Sequence, residues 1–329
     1  LISHHIVARY QSVIKKKDSL NHLPRVIYNP AAGKGSAGEH LAAVQAKLAE
    51  RGFAHELVQT AGAGDALRLA REAAEAGREL VVAAGGDGTI NEVVNGLMTA
   101  QVDGRPRPAL GVIPIGSGND FAFGAGIPAE LDDALDVLVR GSRRVMDVGR
   151  VTGGDFPAGR YFGNGVGLGF DTVVGFEAAK IKWLHGAASY LAGLVRTIFL
   201  YAKGPVYEIV LDDGQPARRA YLMISVMNGR RMGGAFLMAP DSRPDDGAFD
   251  LCLAGYVPQI KMLPLAARFL KGTQAEHPEV RMTRARKVSI RALEGVIPAH
   301  ADGETICVAG SGLVLELLPA ALEVVTRLQ

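Results

Sequence analysis

Between residues 25 and 114 one pattern recurs: a short apolar run, a glycine-rich polar turn, then a segment with helical spacing. Residues 25–28, 54–58, 80–84 and 109–114 read as strands, and 37–50 and 65–76 as helices. A third helix follows Asp87, where Ile90, Val93, Val94 and Leu97 recur at helical spacing. Strands that alternate with helices are joined by crossovers, and crossovers join parallel neighbours. The pattern predicts a Rossmann-like α/β domain with a largely parallel sheet over 23–150, after a tail at 1–22. In such sheets ligands sit beyond the carboxyl ends of the strands, where the polar turns fall.

Beyond residue 150 the texture changes. Runs at 161–167, 206–211, 219–227, 249–254 and 287–292 read as strands, some separated by the turns Asp212-Asp213-Gly214 and Asp245-Asp246-Gly247. A second, mainly antiparallel β domain is expected over 151–310, interrupted by helical insertions at 177–202 and 257–271. The strand-like piece at 322–328, in the C-terminal segment 311–329, can return to either domain.

Three polar turns carry residues suited to an anion. Asn29-Pro30-Ala31-Ala32-Gly33-Lys34-Gly35 follows the first strand. A glycine-rich turn there lets N–H groups converge on a phosphate beside a helix N-terminus. Its spacing is not that of a Walker A loop. Gly85-Gly86-Asp87-Gly88-Thr89-Ile90-Asn91-Glu92 follows the third strand. Its glycines admit phosphate oxygens to the backbone, Thr89 can cap the helix or bond a phosphate, and Asp87 suits a hydrated Mg2+. Pro114-Ile115-Gly116-Ser117-Gly118-Asn119-Asp120-Phe121-Ala122 repeats the design after the fourth strand. Each alone is an ordinary tight turn. Three on one sheet edge predict a composite nucleotide site.

These turns, together with a late Asp302-Gly303-Glu304, resemble the catalytic domain of the diacylglycerol kinase and sphingosine kinase superfamily. The likeness is to small soluble bacterial lipid kinases and spans residues 24–329. It implies ATP as donor, with the nucleotide between two domains of an NAD-kinase-like architecture. The positions implied to hold the nucleotide are Asn29, Pro30, Ala31, Ala32, Gly33, Thr60, Gly86, Asp87, Gly88, Thr89, Asn91, Glu92 and Ser117. At Ser117 the family usually has threonine.

The resemblance also implies a network of Asp87, Asp120 and Asp147 with Mg2+ around the transferred phosphate, the equipment that phosphoryl transfer needs. A general base is implied in the 302–304 turn, either Asp302 or Glu304, since the proton of a substrate hydroxyl must go to a carboxylate. A second, structural Mg2+ or Ca2+ would match the turn at 243–248, using the Asp246 carboxylate and carbonyls near Arg243 and Ala248. The acceptor implied is a membrane lipid alcohol, diacylglycerol or a related one.

Composition narrows the partners. A net charge of +2 gives no support to nucleic acid. Cys252 and Cys307 lack zinc-site spacing and read as buried reduced thiols, which suits a cytoplasmic protein. No apolar run reaches the length of a spanning helix, and the first residues lack the apolar core of a signal peptide. Membrane contact would be peripheral. Trp183, Ala187, Tyr190 or Leu191, Leu194 and Ile198 recur at helical spacing among Lys180, Lys182, Arg196 and Lys203, so this helix either rests on an anionic bilayer or faces the core. The β domain could offer a dimer edge. Two other readings stay open on the residues alone: a kinase for a soluble nucleotide such as NAD, and a non-catalytic nucleotide or lipid binder.

Overall fold

The computed structural model describes residues 23–180, 187–200 and 203–327. They form two compact units, one of residues 23–116, 127–144 and 322–327, the other of Ser117–Gly126 and Val145–Ala321.

In the first unit, strands β1 (Arg25–Tyr28), β2 (Glu56–Gln59), β3 (Leu80–Gly85) and β4 (Ala109–Pro114) lie in the order β2-β1-β3-β4, all parallel. The end of the chain's last strand, β15 (Gly312–Thr326), joins alongside, with Val324 parallel to and opposite Leu110. Val26, Ile27, Val81, Val82, Ala83 and Ala84 are all fully buried, so these strands are apolar throughout rather than alternating. Helices α1 (Ser36–Glu50) and α4 (Leu131–Arg140) cover the core through Val44, Leu48, Leu135 and Leu138. Helices α2 (Asp65–Glu75) and α3 (Asp87–Thr99) pack unusually close. A Cβ on Gly96 would stand 2.3 Å from the Leu67 carbonyl oxygen, so only glycine allows the approach.

In the second unit, β9 (Ala217–Met227) belongs to two sheets. Its first residues pair with β8 (Val206–Leu211), and its later ones with β7 (Gly165–Gly169) and β10 (Phe249–Gly255). The first sheet continues through β12 (Lys287–Glu294) to β15, β5 (Ser142–Gly153) and β6 (Phe156–Phe162). The other carries β13 (Ile297–Ala301) and β14 (Glu304–Gly310) beyond β7, and β11 (Val280–Ala285) beyond β10. Phe162, Val166, Tyr207, Ile224, Phe249, Leu251 and Leu315 pack together as one core. The opposite face of the β9–β10 sheet, with Leu222, Met223, Met227 and Cys252, is covered by α5 (Phe170–Lys180), α6 (Ala187–Leu200) and α7 (Gln259–Lys271).

Two sequence expectations are corrected here. The run 161–167 is not one strand but the end of β6 and the start of β7, broken at Gly163 and Asn164. The first helical insertion begins at Phe170, seven residues before position 177, and its described parts are α5 and α6.

Candidate active site

In the first unit the carboxyl ends of four neighbouring strands converge. The Asn29 N–H donates to the Ala84 carbonyl at 2.9 Å, that of Thr60 to Tyr28 at 2.9 Å, and that of Ile115 to Gly85 at 3.1 Å. Asn29 closes its own turn, its Oδ1 accepting from the Ala31 N–H at 3.0 Å. Its Nδ2 donates to Thr89 Oγ1 at 2.9 Å, which ties the 29–33 turn to the 86–89 turn. Gly33 has φ 58°, a left-handed conformation that glycine adopts without strain. A Cβ on Gly86 would lie 3.1 Å from the Gly116 Cα. At Gly86 the 86–89 turn therefore approaches the backbone at Gly116 closely.

Helix α3 starts at Asp87, directly after Gly86. The first N–H groups of a helix have no partner within it and form the positive end of its dipole. Phosphate oxygens suit that position. Asn91 and Glu92 both have partners within the protein. Asn91 is fully buried and accepts from the Asn95 amide, and the Glu92 carboxylate takes the N–H groups of Gly64 at 2.7 Å and Ala66 at 3.1 Å. Glu92 thus caps the start of α2. Pro30 is half-buried, Ala31 exposed and Ala32 buried along the first turn.

The second unit holds the remaining candidates. Ser117 is exposed there. Asp120 is buried, and its carboxylate accepts from Arg231 Nε at 2.8 Å and from the Gly234 N–H at 3.0 Å to each oxygen. Arg231 also donates to the Gly118 carbonyl and lies 4.2 Å from the centre of the Phe123 ring. Asp147, also buried, accepts the Gly247 and Ala320 N–H groups, one on each oxygen, both at 2.8 Å. The backbone carbonyl of Asp147 takes an amide hydrogen from Asn228, whose Nδ2 also bonds the Gly163 carbonyl.

Asp302 and Gly303 have φ 48° and 86°, as a two-residue turn between β13 and β14 requires. The Asp302 carboxylate accepts three backbone N–H groups, from Gly163 (2.8 Å), Asn164 (3.0 Å) and Gly165 (2.8 Å). These bonds replace sheet pairing where β6 gives way to β7. Glu304, the first residue of β14, is half-buried.

Sequence reasoning missed two neighbours of Asp302. His300 precedes it by two residues on β13 and pairs with Gly167 of β7. Asp171, at the start of α5, has both carboxylate oxygens buried and without a hydrogen bond, and His300 Nε2 lies 3.8 Å away. A buried carboxylate without a donor is costly, so this pair suits a polar group from outside the chain. Arg231 also escapes sequence reasoning, because nothing local marks it.

At the 243–248 turn the protein supplies its own cations. Asp246 pairs with Arg284 at 2.5 Å, and Arg286 donates to the Gly247 carbonyl at 2.9 Å. Burial raises the nearby Asp250 carboxyl, against the pull of Arg284. Among the described residues, no three His, Cys, Asp or Glu side chains gather so as to hold a metal ion.

On the helix read as a lipid contact, Leu194 and Ile198 are buried in the helix-covered core, so those positions face inward. Trp183 lies outside the described residues. No helix among the described residues is long and apolar enough to cross a membrane.

Residues 24–151 match the diacylglycerol kinase catalytic domain, and residues 164–326 match the YegS C-terminal NAD kinase beta sandwich-like domain. A diacylglycerol kinase of Bacillus subtilis (strain 168) is 36% identical over 283 residues, 85% of this chain and 89% of that protein. One of Mycobacterium tuberculosis (strain ATCC 25618 / H37Rv) is 30% identical over 299 residues, 90% of this chain and 92% of that protein. A crystal structure of a diacylglycerol kinase from Bacillus anthracis str. Sterne is similar with a TM-score of 0.69 at 22% identity, over 93% of this chain and 97% of that one. At that identity the likeness speaks to the fold.

Proposed function

The chain belongs to the diacylglycerol kinase catalytic-domain family, and from this we propose that it transfers the γ-phosphoryl group of ATP to the hydroxyl of a lipid alcohol, diacylglycerol or a relative of it. The observation that carries the reading is the sheet edge of the first unit. Four parallel strands end there, and the Asn29–Thr89 bond joins two of their turns, the 29–33 and 86–89 turns, beside the N-terminus of α3. The 29–33 and 86–89 turns and Thr60 bind the triphosphate through backbone N–H groups and hydroxyls. The cradle fits a close ligand, since even a methyl group on Gly86 would crowd Gly116.

Magnesium, arriving with ATP, supplies charge neutralisation, and Asp87 at the head of α3 is the carboxylate suited to it; Mg2+ commonly uses one or two carboxylates together with phosphates and water. Asp120 and Asp147 serve differently. Their oxygens already hold Arg231 and backbone N–H groups, so they keep the surrounding loops in shape. A divalent ion at 243–248 would have to displace Arg284 from Asp246.

In the transfer step the lipid hydroxyl oxygen forms a bond to the γ-phosphorus while the bond from that phosphorus to the bridging oxygen breaks. ADP leaves with the electron pair, and the hydroxyl proton passes to a carboxylate. Asp302, held in place by three N–H donors, is one candidate for that carboxylate. Asp171 is a second candidate, favoured by its two unbonded oxygens.

The deciding experiment supplies labelled ATP with a total lipid extract and with NAD, with the product identified by mass spectrometry. Label in a phospholipid is the expected result. Label on NAD instead, or ATP binding with no transfer to any lipid, would overturn the reading. Asp302→Ala and Asp171→Asn, compared across pH, identify the base: the variant at the true base loses the ascending limb of the pH–rate profile.

A further inference from the structure

Helix α7 carries two apolar stripes. Met262, Leu265 and Phe269 are buried against the β9–β10 sheet. On the opposite side Ile260 is 85% exposed, Leu263 48% and Leu270 50%, and Pro264 and Ala267 between them are exposed as well. Positions 260, 263, 264, 267 and 270 fall on one helical face, so the outward residues form a continuous strip rather than scattered side chains. A single exposed leucine needs no explanation; an aligned strip does.

The strip does not end with the helix. The Gln259 side chain donates to the Ile198 carbonyl at 2.7 Å, which seats the start of α7 at the end of α6. The next residue, Phe199, is 76% exposed. The charge on α7 is of one sign: Lys261, Arg268 and Lys271, with no acidic residue. Arg268 is paired with Glu276, while Lys261 and Lys271 are exposed.

We propose that this outward face of α7, continued by Phe199, is where the protein docks on an anionic lipid bilayer. Apolar side chains enter the boundary between head groups and acyl chains, and lysines meet the phosphates, as on helices that lie in the membrane plane. Charge decides for this occupant over a second copy of the chain, since α7 against α7 would bring like charges together. The proposal rests on the lipid-kinase reading for its purpose but not for its test.

Co-sedimentation without nucleotide is measured on vesicles of phosphatidylcholine alone and of phosphatidylcholine with phosphatidylglycerol. The protein binds the second kind preferentially and releases with salt. Ile260→Ser with Leu263→Ser weakens that binding about tenfold or more, and Lys261→Glu with Lys271→Glu removes the preference for the anionic lipid. Turnover of a short-chain diacylglycerol dissolved as monomer is unchanged in both. Equal vesicle binding by the variants overturns the proposal, as does a dimer that Ile260→Ser/Leu263→Ser converts to monomer without any vesicle binding. Should the apolar pair fail to fold, the lysine pair decides alone. A protein that binds vesicles but transfers no phosphate leaves this docking face standing while the kinase reading falls.

Discussion

The two units build their candidate chemistry in opposite ways. In the first, the site is built on glycine turns at neighbouring strand ends, two of them cross-linked by one side-chain bond between Asn29 and Thr89. In the second, each candidate aspartate already works for the fold. Asp120 holds Arg231 and Gly234, Asp147 holds Gly247 and Ala320, and Asp302 holds Gly163 to Gly165. Substitutions in the first unit should therefore damage catalysis and spare stability, whereas those in the second should damage both.

The sharpest case is Asp302→Ala. Loss of this candidate base lowers turnover about a thousandfold or more. Leaving three N–H donors without their acceptor also destabilises the fold by about 2 kcal/mol. Activity assays with denaturant melts check both at once; a folded variant as stable as the parent would break the contrast. Next comes Asp120→Ala, which strands a largely buried guanidinium and costs about 3 kcal/mol, read as a lower urea midpoint at unchanged slope. Gly86→Ala tests the other side. It pushes the 86 and 116 turns apart and raises the KM for ATP about tenfold, with the melting temperature held. Smaller still, Thr89→Val removes one hydrogen bond and costs about 1 kcal/mol, visible as a small fall in ATP affinity. The least is no effect at all. Burial pushes the Cys252 thiol up to about 12, with the Asp171 charge adding to it, so native protein at pH 8 leaves Cys252 unreacted toward a thiol reagent and unfolded protein does not.

The same contrast explains what the sequence reveals. Strands at Arg25–Tyr28, Ala109–Pro114 and Val206–Leu211 have the bounds that their apolar runs predict. Parallel strands buried on both faces announce themselves locally, and so do the glycine turns that end them. The break between β6 and β7 does not. It depends on Asp302, 139 residues from Gly163, and no local pattern carries that information. Arg231 lies 111 residues from Asp120 and is equally hidden. The β13–β14 hairpin was within reach, since Asp-Gly between apolar runs is a strong hairpin signal. The outward strip on α7 was too: Ile260, Leu263, Ala267 and Leu270 share a period with the inward set, so the segment is apolar on two faces. Glu92, in the same glycine-rich motif, caps a neighbouring helix, a contact 26 to 28 residues away that no local pattern carries.

Strand β9 has a further consequence. Because it pairs first with β8 and then with β7 and β10, neither sheet of the second unit can peel away without disturbing the other. The unit should open as one cooperative block, with the amide protons of residues 221–227 among the slowest to exchange with deuterated solvent and released only by global unfolding.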